Sequence, residues 1–195
     1  MIVPVVLNGW SASTRRKRTR THTLVDRILG ETGAPHVPVL GLKSMLLYAR
    51  SRRVRKHIQR YERNDRVLLC VGKSLGARNM VERVLNKMEK LQYRSVYLVT
   101  IDPNWPESWD LSPNLNGHLL RLTHPVTLAV NVYFAAQKGT TKQAGALLST
   151  PKGVPCRNWP VTDCDHFSIV QHPKVRQVLK GVIEEAKIIL KADPL

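Results

Sequence analysis

The sequence predicts an α/β protein, a mostly parallel central sheet with helices on both faces. Two observations carry that expectation. Short apolar runs of strand length alternate along the chain with segments whose apolar residues recur at helical spacing. Residues 66–88 then join one of each through a glycine-flanked turn. At 195 residues the chain has the size of one domain spanning 1–195, long enough to bury a sound core.

The elements follow in order. Residues 2–7 read as the first strand, and Asn8-Gly9-Trp10-Ser11 as the turn that leaves it. The cationic segment 14–20, with Arg15, Arg16, Lys17, Arg18 and Arg20, has no apolar periodicity and reads as loop. A helix is expected over 22–31, with Leu24, Val25, Ile28 and Leu29 on one face and Gly30 or Gly33 near its end. Val37-Pro38-Val39-Leu40 reads as a short strand whose proline favours an edge or a strand start. Residues 42–62 read as a long helix. Leu42, Met45, Leu46, Leu47, Val54 and Ile58 are its apolar residues, and Arg50, Arg52, Arg53, Arg55, Lys56, Arg60 and Arg63 form a basic face. Strands are expected at 93–100 and 126–134, with a shorter one near 146–148. Residues 103–125 hold four prolines and read as a long irregular loop, and 151–165 as a second loop. A closing helix starts at Pro173, with Val175, Val178, Leu179, Val182, Ile183 and Ala186 on its apolar face and His172 as its cap.

The turn in 66–88 carries chemistry. Val67 to Val71 form a buried strand, and Met80, Val81, Val84, Leu85 and Met88 recur at the spacing of an amphipathic helix. Between them lies Gly72-Lys73-Ser74-Leu75-Gly76, the G-x-S-x-G nucleophile elbow in its strand–turn–helix setting. The serine sits at a strained corner, the glycines keep Cβ atoms out of it, and the helix start supplies N–H groups for a developing oxyanion. A phosphate-binding loop would need a glycine where Val67 stands, inside the strand, so ATP and GTP are set aside.

A nucleophilic serine needs a base and a carboxylate that orients it, and in this setting they follow in the order Ser, Asp or Glu, His. Asp102 comes directly after a buried strand, so its side chain is expected over the same sheet edge as Ser74; an Asp-Pro turn opener is the competing reading. His166, in the last loop before the closing helix, is the expected base, with His124 as runner-up.

Bulk properties narrow the rest. No apolar run approaches the roughly 20 residues needed to cross a bilayer. The apolar N-terminus has neither a basic leader nor a small-residue cleavage site, so a cytoplasmic protein is expected. Three cysteines make no disulfide framework: Cys70 reads as a buried side chain, and Cys156 and Cys164 could pair only in an oxidising setting. No metal-ligand spacing accompanies them, and no cofactor is expected. The net charge of +17 is concentrated, +11 of it in residues 1–66, which suggests an anionic partner.

Several segments together resemble the α/β-hydrolase superfamily, especially small lipase- and esterase-like members with a minimal cap or none. Val-Leu-Asn-Gly-Trp at 6–10 resembles the strand and turn that open the oxyanion loop, and Gly-Lys-Ser-Leu-Gly-Ala at 72–77 resembles the elbow. Leu-Val-Thr-Ile-Asp-Pro at 98–103 is similar to the strand-plus-aspartate of members whose acid follows the strand after the elbow helix. Asp-His-Phe-Ser-Ile-Val at 165–170 resembles the histidine loop. The resemblance implies a triad of Ser74, Asp102 and His166, with an oxyanion hole from the backbone N–H groups of Leu75 and Trp10. Asn8 departs from the family's usual histidine, and many members carry the acid one strand later, where Asp163 and Asp165 stand too close in sequence to His166 to be favoured. What the resemblance implies is a serine hydrolase acting on a carboxylic ester or thioester. The loop 103–125, with Trp105, Trp109 and Leu111, reads equally as an acyl-group wall or as structural covering. The basic segment, beside the oxyanion turn, is expected to favour anionic substrates or an anionic surface. The alternative is a non-catalytic protein on the same scaffold that binds nucleic acid or another polyanion through its basic N-terminal third.

Overall fold

Alternation within the strands decides the layering. In the strand Val67–Lys73, Val67, Leu69 and Val71 face one layer while Leu68 and Cys70 face the other, and all are fully buried. Burial on both faces is why these strands read as continuous apolar runs rather than as an apolar–polar alternation. The computed structural model describes residues 1–9, 20–43, 47–103, 119–135, 145–166 and 168–192.

Within them run β1 (Ile2–Asn8), α1 (Arg20–Thr32), β2 (Leu40–Lys43), α2 (Leu47–Arg60), β3 (Val67–Lys73), α3 (Leu75–Asn79), β4 (Ser95–Ile101), β5 (Leu119–Arg121), β6 (Leu128–Phe134), β7 (Leu147–Ser149), β8 (Cys156–Val161) and α4 (Pro173–Lys191). Six strands form one sheet in the order β2-β1-β3-β4-β6-β8, and every pairing in it is parallel. The chain moves from β1 out to β2 and then returns to β3 on the other side of β1. Strand order therefore reverses between β1 and β3, the place where open parallel sheets keep their sites.

One face of the sheet is covered by Val25, Ile28 and Leu29 of α1 and by Val175, Leu179, Val182, Ile183 and Ala186 of α4. The other is covered by Val54 and Ile58 of α2 and by Met80, Val81, Val84 and Leu85 of the helical stretch after β3. Leu179 is fully buried in the first layer. Leu179→Ala is expected to lower unfolding free energy by about 2–5 kcal/mol, the range for a core leucine replaced without collapse of the cavity, measured by urea denaturation.

Differences from expectation lie at element boundaries and edges. β2 begins at Leu40, because the 37–40 segment approaches as extended chain in which Val37 N–H donates to the Ile2 carbonyl at 3.0 Å. Leu42, expected in a helix, belongs to β2: parallel pairing with β1 through Asn8↔Lys43 overrides its apolar spacing, and α2 starts only at Leu47. The helix after β3 is α-helical through Asn79, widens to a π turn over Met80–Val84 and tightens to a 3₁₀ turn over Leu85–Lys87. β5 falls in the expected irregular loop and pairs in parallel with β7, the short strand anticipated near 146–148.

The expected loop 151–165 contains β8, the outer strand of the main sheet. Arg157, Asn158, Trp159 and Pro160 are exposed there, so no apolar pattern announces it, and an internal proline argues for loop or edge. A polar row holds it in place. Thr100, Asn131 and Asn158 are register partners on β4, β6 and β8. The Thr100 hydroxyl donates to Asn131 Oδ1 at 2.8 Å, and Asn131 Nδ2 donates to Asn158 Oδ1 at 2.8 Å. Asn158 in turn bonds both the N–H and the carbonyl of Leu148 at 2.9 Å, tying β7 to the sheet. Cys70, Cys156 and Cys164 are all free thiols. Among the described residues, no helix is long and apolar enough to cross a membrane.

Candidate active site

The carboxyl ends of β3 and β4 are in register, Lys73 opposite Ile101, so the next residues, Ser74 and Asp102, leave the sheet side by side. Ser74 N–H donates to the Ile101 carbonyl at 3.0 Å, and Asp102 N–H donates to the Val132 carbonyl at 2.7 Å. Both residues have left-handed backbone, Ser74 at φ 55° and Asp102 at φ 45°, and no other non-glycine residue among those described does. For L-residues this strain is of order 1–3 kcal/mol each and persists only where the surroundings over-determine it. At Ser74, with ψ −133°, the corner turns β3 straight into α3.

Glycines make the corner possible, each for a different contact. A Cβ at Gly72 would lie 2.4 Å from Ala77 Cα, so the strand end passes directly under the helix. A Cβ at Gly76 would lie 2.3 Å from the Leu7 carbonyl oxygen, so the first turn of α3 rests on the end of β1. Gly9 completes the set: a Cβ there would lie 2.8 Å from Ser74 Oγ and 3.1 Å from the Leu75 nitrogen. The turn leaving β1 therefore runs against the serine hydroxyl and the first N–H of α3, one of the helix-start donors that have no intrahelical acceptor. Asn8 anchors that turn by accepting from the Thr21 hydroxyl at 2.7 Å. Its carboxamide serves as a brace to α1.

Asp102 is fully buried. One carboxylate oxygen accepts from the Phe134 N–H at 2.9 Å, and the other is in contact with Nδ1 of His166. The chain crosses over this carboxylate at Gly145, where a Cβ would lie 2.1 Å from Asp102 Oδ1. Neither Gly145 nor the Phe134 amide was visible as a site feature in the sequence: the pairing of β4 with β6 brings Phe134 to Asp102, and Gly145 is held there by its N–H donating to the Phe134 carbonyl at 2.9 Å. Gly145→Ala is expected to displace the carboxylate and to lower the melting temperature, read by thermal denaturation.

The other acids and histidines have separate tasks. Asp163 accepts from His172 Nε2 at 2.8 Å, a hydrogen bond that holds its carboxyl below the usual range, while His172 Nδ1 accepts from Lys174 N–H and caps α4. Asp165 accepts from the N–H and the hydroxyl of Ser168, both at 2.7 Å, which closes the turn on which His166 stands. His124 is buried beyond β5, where burial lowers its pKa and a Met88 backbone hydrogen bond opposes that. His22 lies between α1 and β2, its ring filling the space beside Gly41 and its Nε2 at 3.2 Å from the Val39 carbonyl. Among these, it is Asp102 and His166 that meet.

Lys73 flanks the serine. Burial pushes its ammonium below the usual lysine range, Asp102 pulls it back up, and Arg20 adds a further downward push. Trp10, Trp105 and Trp109 lie outside the described residues, as do Arg15, Arg16, Lys17 and Arg18; Arg20 is exposed at the start of α1. Among the described residues no group of His, Cys, Asp and Glu side chains could hold a metal ion.

No protein-family model matches the sequence, and no curated protein does. The architecture is similar to the crystal structure of a protein named "Putative hydrolase" from Agrobacterium vitis S4. The superposition has a TM-score of 0.55 at 10% sequence identity and covers 94% of this chain and 88% of that one. The chain has the α/β-hydrolase fold. At that identity the likeness speaks for the fold alone, and the chemistry rests on the residues at the β3 and β4 ends.

Proposed function

We propose that the protein is a serine hydrolase that cleaves a carboxylic ester or thioester through an acyl-enzyme intermediate. The observation that carries this reading is the strained Ser74 elbow standing beside Asp102, whose carboxylate contacts the His166 ring. Ser74 Oγ attacks the acyl carbon as His166 Nε2 takes its proton, and the tetrahedral oxyanion is held by backbone N–H groups including that of Leu75. His166 returns the proton to the departing alkoxide or thiolate as the acyl-enzyme forms. A water molecule then repeats the sequence, giving its proton to His166 and releasing the acid from Ser74. Asp102, oriented by the Phe134 N–H, keeps Nδ1 protonated so that Nε2 is free to act as base. Trp10 is proposed as the second oxyanion donor, and Trp105 and Trp109 as acyl-binding residues.

The test is covalent labelling by a fluorophosphonate probe, followed by a p-nitrophenyl ester chain-length series. Labelling at Ser74 that competes with substrate is expected. A folded wild type that resists the probe and turns over no ester would refute the reading.

One observation favours a second reading, a polyanion-binding surface. Along α2, Arg52, Arg53, Lys56 and Arg60 are all exposed, and the helix has no acidic residue. Like charges four apart on a helix repel, and a bound polyanion would relieve that repulsion. Nucleic-acid binding that falls steeply with salt, without esterase activity, would favour this alternative.

A further inference from the structure

A cleft of about 440 Å³ opens between α1 and the start of α4, outside the triad itself. Val170, buried, and Leu24, half-buried, contribute its apolar lining, and Arg20, Arg27 and Arg176 line it as well. The three guanidiniums are not equivalent. Arg176 is held by Glu31 through two hydrogen bonds of 2.7 and 2.9 Å, which fixes its direction. Arg20 and Arg27 meet no carboxylate among the described residues. Two guanidiniums with no carboxylate partner among the described residues, beside a third that is oriented, provide forked donors in a concave site, the arrangement that suits a phosphate group. The volume is that of a small-molecule site, and the short apolar lining suits a carbon chain leading to that group.

The position of the cleft relates it to Ser74. α1 begins one residue before Thr21, which bonds Asn8 at the end of the strand that leads into the Gly9 turn. Val170 and Gln171 belong to the turn directly after His166. Arg20 also acts electrostatically on Lys73, the neighbour of the serine, as does Asp102. The cleft thus lies at the carboxyl edge of the sheet, between the two segments that carry the oxyanion turn and the histidine.

We propose that this cleft binds a phosphate group carried by the substrate, so that the ester or thioester presented to Ser74 is a phosphorylated one. This rests on the hydrolase reading and adds a substrate class to it. The test compares p-nitrophenyl hexanoate with p-nitrophenyl 6-(phosphonooxy)hexanoate, which differ only in the terminal phosphate. The wild type is expected to favour the phosphorylated ester at least tenfold in kcat/KM, through KM, with hexyl phosphate as a competitive inhibitor. The double variant Arg20→Gln/Arg27→Gln is expected to reduce that preference by about tenfold or more, since each charged hydrogen bond lost is worth at least that factor. Lys90→Gln/Lys152→Gln removes the same charge from exposed positions ahead of β4 and β8, at the opposite sheet edge, and is expected to keep the preference.

Equal kcat/KM for the two esters, or an equal loss of preference in both double variants, would overturn the proposal in favour of diffuse surface charge. Calorimetric titration of hexyl phosphate into Ser74→Ala separates the two readings. Arginine-dependent binding by a protein that hydrolyses neither ester would retain the phosphate cleft and reject the hydrolase. Turnover of the neutral ester without hexyl phosphate binding would reject the cleft alone. Competition by duplex DNA but not by hexyl phosphate would reject it too, and would point to a polyanion surface.

Discussion

Ser74→Ala is expected to lower kcat for a p-nitrophenyl ester by about 10⁴- to 10⁶-fold, the loss that follows removal of an activated nucleophile. The fold should survive it. Among the described residues the Ser74 hydroxyl has no structural hydrogen bond, and the corner is held by backbone contacts: its N–H to the Ile101 carbonyl, and its own carbonyl accepting from Ala77 at 2.9 Å. A companion variant isolates the strain. Ser74→Gly should be equally inactive yet no less stable, because glycine accepts φ 55° without a Cβ clash. Relief of roughly 1–3 kcal/mol of strain offsets the roughly 0.5–1 kcal/mol that glycine adds to the unfolded chain's entropy. Stopped-flow kinetics and thermal denaturation on the same samples check both statements. Full activity in Ser74→Ala would end the serine-hydrolase reading.

Asp102→Asn is expected to reduce kcat by about 10³- to 10⁴-fold through the tautomer of a single ring. The Asn oxygen can still accept from the Phe134 N–H, so the corner keeps its anchor. Its NH₂ group would then face His166 Nδ1, where the carboxylate now lies. A donor there favours the imidazole with its proton on Nε2, which cannot take the Ser74 proton. The diagnostic is partial recovery at high pH, where hydroxide substitutes for the missing base, together with an unchanged melting temperature. Asp163→Asn, by contrast, removes a partner of His172 at the cap of α4 and should change stability slightly while leaving kcat within about twofold, since surface pairs contribute little. Equal losses in the two variants would remove Asp102 from its proposed role.

The legible part of the fold was the part in which both faces of a strand are buried. β1, β3 and β4 are runs of apolar residues with few competing interpretations, and α1 and α4 show one apolar face each. Legibility failed where the stabilising contacts are polar or lie on one side. β8 is an edge strand whose ladder pairing is with β6 alone, and it presents Arg157 to Pro160 to solvent. It is fixed by Asn158 reaching Asn131, an arrangement that leaves no periodic trace. β2 failed for a related reason: a four-residue strand next to a helix shares its apolar residues with that helix's pattern, and only the register with β1 decides between them.

The candidate site divides in the same way. The amino-acid sequence specifies the elbow unaided, because a strained turn between a buried strand and a helix demands small residues at fixed offsets, and Gly72 and Gly76 stand there. It also determined the order of Ser74, Asp102 and His166. Sequence order already favoured Asp102 over Asp163 and Asp165, which stand too near His166. The fold decided the contact itself: Asp102 lies 64 residues away in sequence, while the two near neighbours are engaged with His172 and Ser168. It likewise decided the parts played by Gly9, Gly145 and the Phe134 amide, and the meeting of Arg20, Arg27 and Arg176 around one cleft. The physical reason is range. Turn geometry and periodicity are local properties that a run of residues carries with it, whereas close approach between distant segments exists only once the sheet register has set their spacing.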